Sequence, residues 1–218
     1  SLKAGGPPVS TVSNGSALVQ CGHNVEIVTT DKYGEQIDFD ARIDPGLKIR
    51  TFACWPPEKL AISPGLTRHL MKTIPNVDVV IIHGLYLYHT LAAATIARHF
   101  GKPYVLQPHG SLDPFLWRHH RLRKMLVEGL FQDRVTRGAS AFWFTADDEQ
   151  KLASSFIHGA HSFVAPHVLN LRTFLSNRDR TPFDTAFENA TILFYGRVNF
   201  KKGLDILIEA FGILQQRG

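Results

Sequence analysis

The stretch Gln107-Pro108-His109-Gly110-Ser111-Leu112-Asp113-Pro114 places a histidine and a glycine directly behind an apolar run, KPYVL. An imidazole at the carboxyl end of a strand points into the crevice where open α/β sheets bind ligands. There it can hydrogen-bond a sugar hydroxyl or steady a departing phosphate oxygen, and the glycine lets the chain turn sharply behind it. Taken alone, His109 is as readily an ordinary core or surface residue among the 11 histidines of the chain. A second group is Gly196-Arg197, four residues, then Lys202-Gly203. The planar fork of an arginine and the compact charge of a lysine, both near a helix N-terminus, suit a diphosphate. The plain alternative is a solvated basic turn, and Lys201 reads as no more than that.

Two further stretches carry weaker signals. Gly5-Gly6-Pro7-Pro8 precedes a helical stretch beginning near Val9. Glycines admit a ligand close to the backbone, prolines suit a first helical turn, and the free N–H groups there attract anions. Without a G-x-G-x-x-G pattern, an ordinary glycine turn explains it equally well. The basic run Arg118, His119, His120, Arg121, Arg123 and Lys124 can lie on anionic lipid or hold a phosphorylated acceptor. It can also be the wet face of a surface helix. It lacks the interleaved aromatics that single-stranded nucleic acids stack on, so no nucleic-acid partner is expected.

The elements that must position these residues alternate. Short β-branched runs start at Asn24, Lys48, Val77, Lys102, Ser140 and His161, and helical stretches begin near Val9, Ser63, Tyr88, Leu122 and Ala146. Leu122, Met125, Leu126, Gly129 and Leu130 share one helical face. Such alternation implies right-handed crossovers and a mostly parallel sheet covered on both faces. After Phe174 the polar segment SNRDRTPFDTAFENA lacks a period and reads as a linker. The run TILFYGRV and a helix with Leu204, Leu207, Ile208, Phe211 and Leu214 on one stripe follow. The expected division is therefore a Rossmann-like domain over 1–174, a linker over 175–189, and one βα unit of a second domain over 190–218.

Bulk properties narrow the class. Hydrophobic residues make up 44% and charged residues 20%, the balance of a globular protein, and the net charge of +5 tolerates acidic ligands without selecting one. Two cysteines make no disulfide framework, so a reducing, cytoplasmic setting is expected. Val79–Ala97 carries no Asp, Glu, Lys or Arg and has the length of a membrane span. His83, Gly84 and His89 interrupt it, and its first part is β-branched where its second is alanine-rich, so a strand, a turn and a helix are expected instead.

In order and together, these pieces resemble the group-1 (family 4) glycosyltransferases of GT-B fold. The resemblance rests on GGPP-V-S, C-G-H-N-V-E-I-V-T-T, Q-P-H-G-S-L-D-P, the R-L-R-K helix, G-A-S-A-F-W-F-T-A-D-D-E, and F-Y-G-R-V-N-F-K-K-G-L-D-I-L-I-E-A-F. It implies a retaining, metal-independent transfer of sugar from a nucleotide-diphosphate sugar to a saccharide or lipid-linked acceptor, with no bound cofactor. Gly6 would approach the donor diphosphate, His109 would sit beside the transferred sugar, and Arg197 and Lys202 would grip the diphosphate. Asp113, Arg118 and Arg121 would serve the acceptor or membrane side, with peripheral contact on the inner face. A nucleotide-sugar 2-epimerase of the same fold and a non-catalytic acceptor-binding domain are the alternatives.

The chain also departs from the family. The paired-glutamate motif would lie beyond Gly218, Pro166-His167-Val168-Leu169-Asn170 replaces the interdomain P-N-G-V-D, and the strand ahead of the first helix is missing. In the family that strand is central, so its loss should leave two neighbours with unpaired backbone. Thr191–Val198 has the pattern to fill such a slot, within the chain or by a swap between two chains, and the fragment by itself is expected to be inactive.

Overall fold

The computed structural model describes residues 6–32, 43–56, 61–114, 128–157, 159–168, 192–196, 198 and 202–216. The chain forms two compact units, Ser1–Leu171 and Arg172–Gly218. In the first, helix α1 (Gly6–Gln20) leads into β1 (Glu26–Thr30) and β2 (Lys48–Phe52). Helix α2 (Pro64–Thr73), β3 (Val80–His83), α3 (Tyr88–His99) and β4 (Tyr104–Gln107) follow. A widened turn, Glu128–Gln132, opens into α4 (Asp133–Arg137), and then come β5 (Ala141–Phe144), α5 (Asp147–Ala153) and β6 (Ser162–Val164).

Every strand pairing is parallel, as the alternation requires, yet the strands form two sheets rather than one. The orders are β1-β2 and β3-β4-β5-β6. Thus β1 and β3 each carry one edge without a strand partner among the described residues. The stretch from Val79 to Ala97 resolves into β3, a turn with Gly84 at φ 80°, and α3, and no described helix is long and apolar enough to cross a membrane.

Local sequence explains where the elements start. Ser63 caps α2 by accepting the Leu66 N–H at 3.4 Å, and Pro64 fills the first helical position, where no N–H partner is lost. Helix α1 begins at Gly6, one turn earlier than Val9, because Pro7 and Pro8 suit the first turn; Gly6 is thus helical rather than part of a preceding loop. Ala92, Ala93, Ala94 and Ala97 are buried, and such small side chains let α3 sit close on the sheet, over a core with Ile82, Leu106, Phe142 and Phe144. Tyr104 is buried with its hydroxyl donating to the Val135 carbonyl at 2.6 Å, which joins β4 to α4. The Leu122 stripe falls mostly outside the described residues.

In the second unit, helix α6 (Leu204–Gln216) forms and buries none of its residues. The strand expected over Thr191–Val198 does not form among the described residues. Ile192–Tyr195 take no regular structure, and Leu193 and Tyr195 are 83% and 96% exposed. A single strand with no neighbour leaves its backbone groups to water and has nothing to hold it extended.

Candidate functional site

The carboxyl ends of β3, β4 and β6 bring three histidines together. His83 is the last residue of β3, His109 stands two residues past β4, and His167 three past β6. The His83 and His109 rings lie 5.3 Å apart at 22°, and those of His109 and His167 5.7 Å apart at 24°. Trp143 of β5 flanks His167 at 6.2 Å, its indole N–H donating to the Ala165 carbonyl at 2.7 Å. Helix α1 closes one side with Thr11 and Asn14.

Hydrogen bonds tie the rings to α1 and to one another. The Thr11 hydroxyl donates to the Pro7 carbonyl at 2.8 Å, and its Oγ1 also lies 3.3 Å from His83 Nδ1. His83 Nδ1 also lies 3.1 Å from His109 Nε2. Asn14 donates from Nδ2 to His167 Nδ1 at 3.0 Å and accepts the Val168 N–H at 2.9 Å, which puts the His167 proton on Nε2. His89 bonds the His83 carbonyl through Nε2 at 3.0 Å.

Burial and mutual repulsion keep these rings neutral. Burial, then His109, His167 and His89, push His83 down to about 3. Burial and His167 lower His109 to about 4, against the opposing charge of Glu149. His167 and His89 are lowered too, both chiefly by burial. Neutral imidazoles donate and accept single hydrogen bonds, which suits sugar hydroxyls better than it suits a phosphate. Among the described residues, no group of three or more His, Cys, Asp or Glu is placed to hold a metal ion.

The turn that presents His109 is strained. His109 has φ 52° and Gly110 φ 71°, and a non-glycine residue in that region costs roughly 1–2 kcal/mol. Ser111 ties the turn by donating its hydroxyl to the Pro108 carbonyl at 2.7 Å, and Leu112 anchors it in the core. The Gly110 N–H donates to Glu149 Oε1 at 2.7 Å.

Of the residues singled out from sequence, His109 stands at the centre of this cluster. Asp113 follows on the same turn, its N–H donating to the Gly110 carbonyl at 3.3 Å. Gly6 is exposed at the first turn of α1, whose next turn carries Thr11. Lys202 is exposed one residue before Gly203, in the other unit. Arg118, Arg121 and Arg197 lie outside the described residues. Sequence reasoning passed over His83, His167, Thr11, Asn14 and Glu149. His83 and His167 carried a usable signal, since each ends or follows a run read as a strand, and parallel strand ends converge on one edge.

Residues 5–162 match the family described as a glycosyl transferase 4-like domain. The chain is similar to a D-inositol 3-phosphate glycosyltransferase of Pseudarthrobacter chlorophenolicus, with 24% identity over 240 aligned residues. That alignment covers 98% of this chain and 54% of the relative, so the chain spans about half the length of the curated relative it matches.

Proposed function

The chain belongs to the glycosyl transferase 4-like family, and from that premise we propose that the protein moves a sugar from a nucleotide-diphosphate sugar to a saccharide or lipid-linked acceptor. The observation that carries this reading is His109, held neutral at the carboxyl edge of the sheet with its Nε2 already engaged by His83. Its Nδ1 is then the ring nitrogen that meets a hydroxyl of the transferred sugar. An imidazole so used aligns the sugar and donates one hydrogen bond, and it need not change charge during transfer. The first turn of α1, with Gly6, offers backbone N–H groups to the donor diphosphate. Arg197 and Lys202 offset the negative charge that grows on the leaving diphosphate, in place of a metal, and the anomeric configuration is retained.

The acceptor side is assigned to Asp113, Arg118 and Arg121. The name of the Pseudarthrobacter relative contains D-inositol 3-phosphate, and a phosphate-bearing acceptor would suit arginines in that stretch. Contact with the inner membrane face is assigned to the same basic run, in a cytoplasmic protein. The open edges of β1 and β3 favour a swapped dimer of the 218-residue chain, which light scattering would weigh.

The test pairs steady-state kinetics over a panel of nucleotide sugars with calorimetry on a nucleotide diphosphate alone, in a protein carrying both domains. His109→Ala should lower kcat well before it weakens nucleotide binding. Arg197→Ala and Lys202→Ala should each cost roughly 2–4 kcal/mol of transition-state stabilisation. Unchanged kcat/KM in both cation variants, or a His109→Ala variant that loses only nucleotide affinity, contradicts these roles.

A further inference from the structure

We propose that Glu149 is the positioning residue of the site: its carboxylate clamps the His109–Gly110 turn to the end of β5 and so fixes where the His109 imidazole stands. The proposal rests on the reading of His109 as the sugar-facing group, and it adds a residue that contacts neither sugar nor diphosphate in that reading.

Glu149 lies in the first turn of α5 beside Asp147 and Asp148. Those two are exposed, as first-turn acids usually are, but Glu149 is half-buried. Its Oε2 accepts the Thr145 N–H at 2.9 Å and the Thr145 hydroxyl at 2.8 Å, a reach-back that serves the start of α5 in the manner of a capping box. A cap needs only that one oxygen. The other, Oε1, turns to a loop from a different strand and accepts the Gly110 N–H at 2.7 Å, a short bond of the charge-assisted kind. Gly110 is the second of two successive left-handed residues, so its N–H points where no strand or helix partner can meet it. Satisfying that N–H holds the strained His109 conformation, and with it the 3.1 Å approach of His109 Nε2 to His83 Nδ1.

The other titratable groups facing His109 are His83 from β3 and His167 from the segment after β6, with His89 of α3 behind His83. All three are imidazoles, so Glu149 is the anion among these groups. Its charge raises both His109 and His167 against the pull of burial.

The experiment is an NMR titration of the 218-residue chain labelled with 15N-histidine and 15N-glycine, needing no sugar ligand. Glu149→Gln keeps the shape of the side chain and removes its charge. His109 and His167 should then titrate at lower pH than in the unsubstituted chain. A role limited to general packing predicts the opposite sign, because loosening admits water and returns His109 toward its ordinary range. An unchanged or raised His109 midpoint in Glu149→Gln therefore overturns the proposal. Glu149→Ala should speed Gly110 amide exchange roughly 10–100-fold, the worth of one hydrogen bond to a carboxylate. If Glu149→Ala fails to fold, the unsubstituted chain still decides, since a Gly110 amide exchanging at the rate of an open loop contradicts the clamp. A failure of the transferase reading would show in the kinetics with nucleotide sugars and leave these titrations as they are.

Discussion

Asn14 shows how much one buried amide settles in this molecule. It is 5% exposed on α1, yet it serves two groups more than 150 positions away, donating to His167 and accepting from the Val168 N–H. The contact pins the chain where it leaves β6 against the helix that opens the unit, and it sets the His167 tautomer. Asn14→Ala leaves a ring nitrogen and a backbone N–H without their partners, so it should cost roughly 2 kcal/mol in urea unfolding, with the denaturant slope unchanged. A loss under about 0.5 kcal/mol, the scale of an ordinary surface change, shows that the amide is replaceable by water. His109 poses the complementary case. Its residue type and place behind a strand were legible in sequence, but its left-handed backbone, its neutral state and its two ring neighbours depend on side chains from β3, the segment after β6 and α5.

At the scale of elements, close approach sets the tolerances. A Cβ on Gly138 would meet the Tyr104 hydroxyl at 2.5 Å, the Arg98 side chain at 3.0 Å and the Arg134 carbonyl at 3.1 Å. The hydroxyl is the difficult neighbour, because its bond to the Val135 carbonyl fixes it in place. Gly138→Ala should therefore destabilise by roughly 1–3 kcal/mol, and Gly138→Ala combined with Tyr104→Phe should recover part of that loss. Strict additivity of the two changes would mean that the clash is relieved elsewhere. The elements themselves were largely readable: β-branched runs gave strands, and interruptions at His83 and Gly84 broke an uncharged 19-residue stretch into β3 and α3. TILFYGRV has the same local pattern as those strands and forms none among the described residues. Pattern states what a segment can pair as, and pairing needs a neighbour.

For the first unit as a whole, the histidine cluster sets an acid limit. His83 and His109 sit at about 3 and about 4 when folded, both below their ordinary 6.5, mainly through burial. Between pH 6.5 and 4 the unfolded chain takes up protons that the folded chain refuses. Stability is therefore full above about 6.5 and falls as the pH drops, by on the order of 1 kcal/mol per pH unit for His83 and less for the more solvent-accessible His109. Urea midpoints measured from pH 6.5 down to 5, above the carboxylate range, should show this slope. His83→Asn should flatten it. An equal slope in that variant would assign the acid sensitivity to other groups.

The sequence by itself determined the class of the chain, its order of strands and helices, and the position of His109 behind one of those strands. These follow from periodicity, turn residues and a run of motifs, all of them short-range. Only the tertiary structure decided that the described strands divide into β1-β2 and β3-β4-β5-β6. It alone decided that His83, His109 and His167 share one edge, and that a first-turn glutamate reaches back to Gly110. Those outcomes depend on contacts between residues 26 to 154 positions apart. Local propensity is silent there, because which side chains meet is set by strand register and by whichever buried polar groups still need partners.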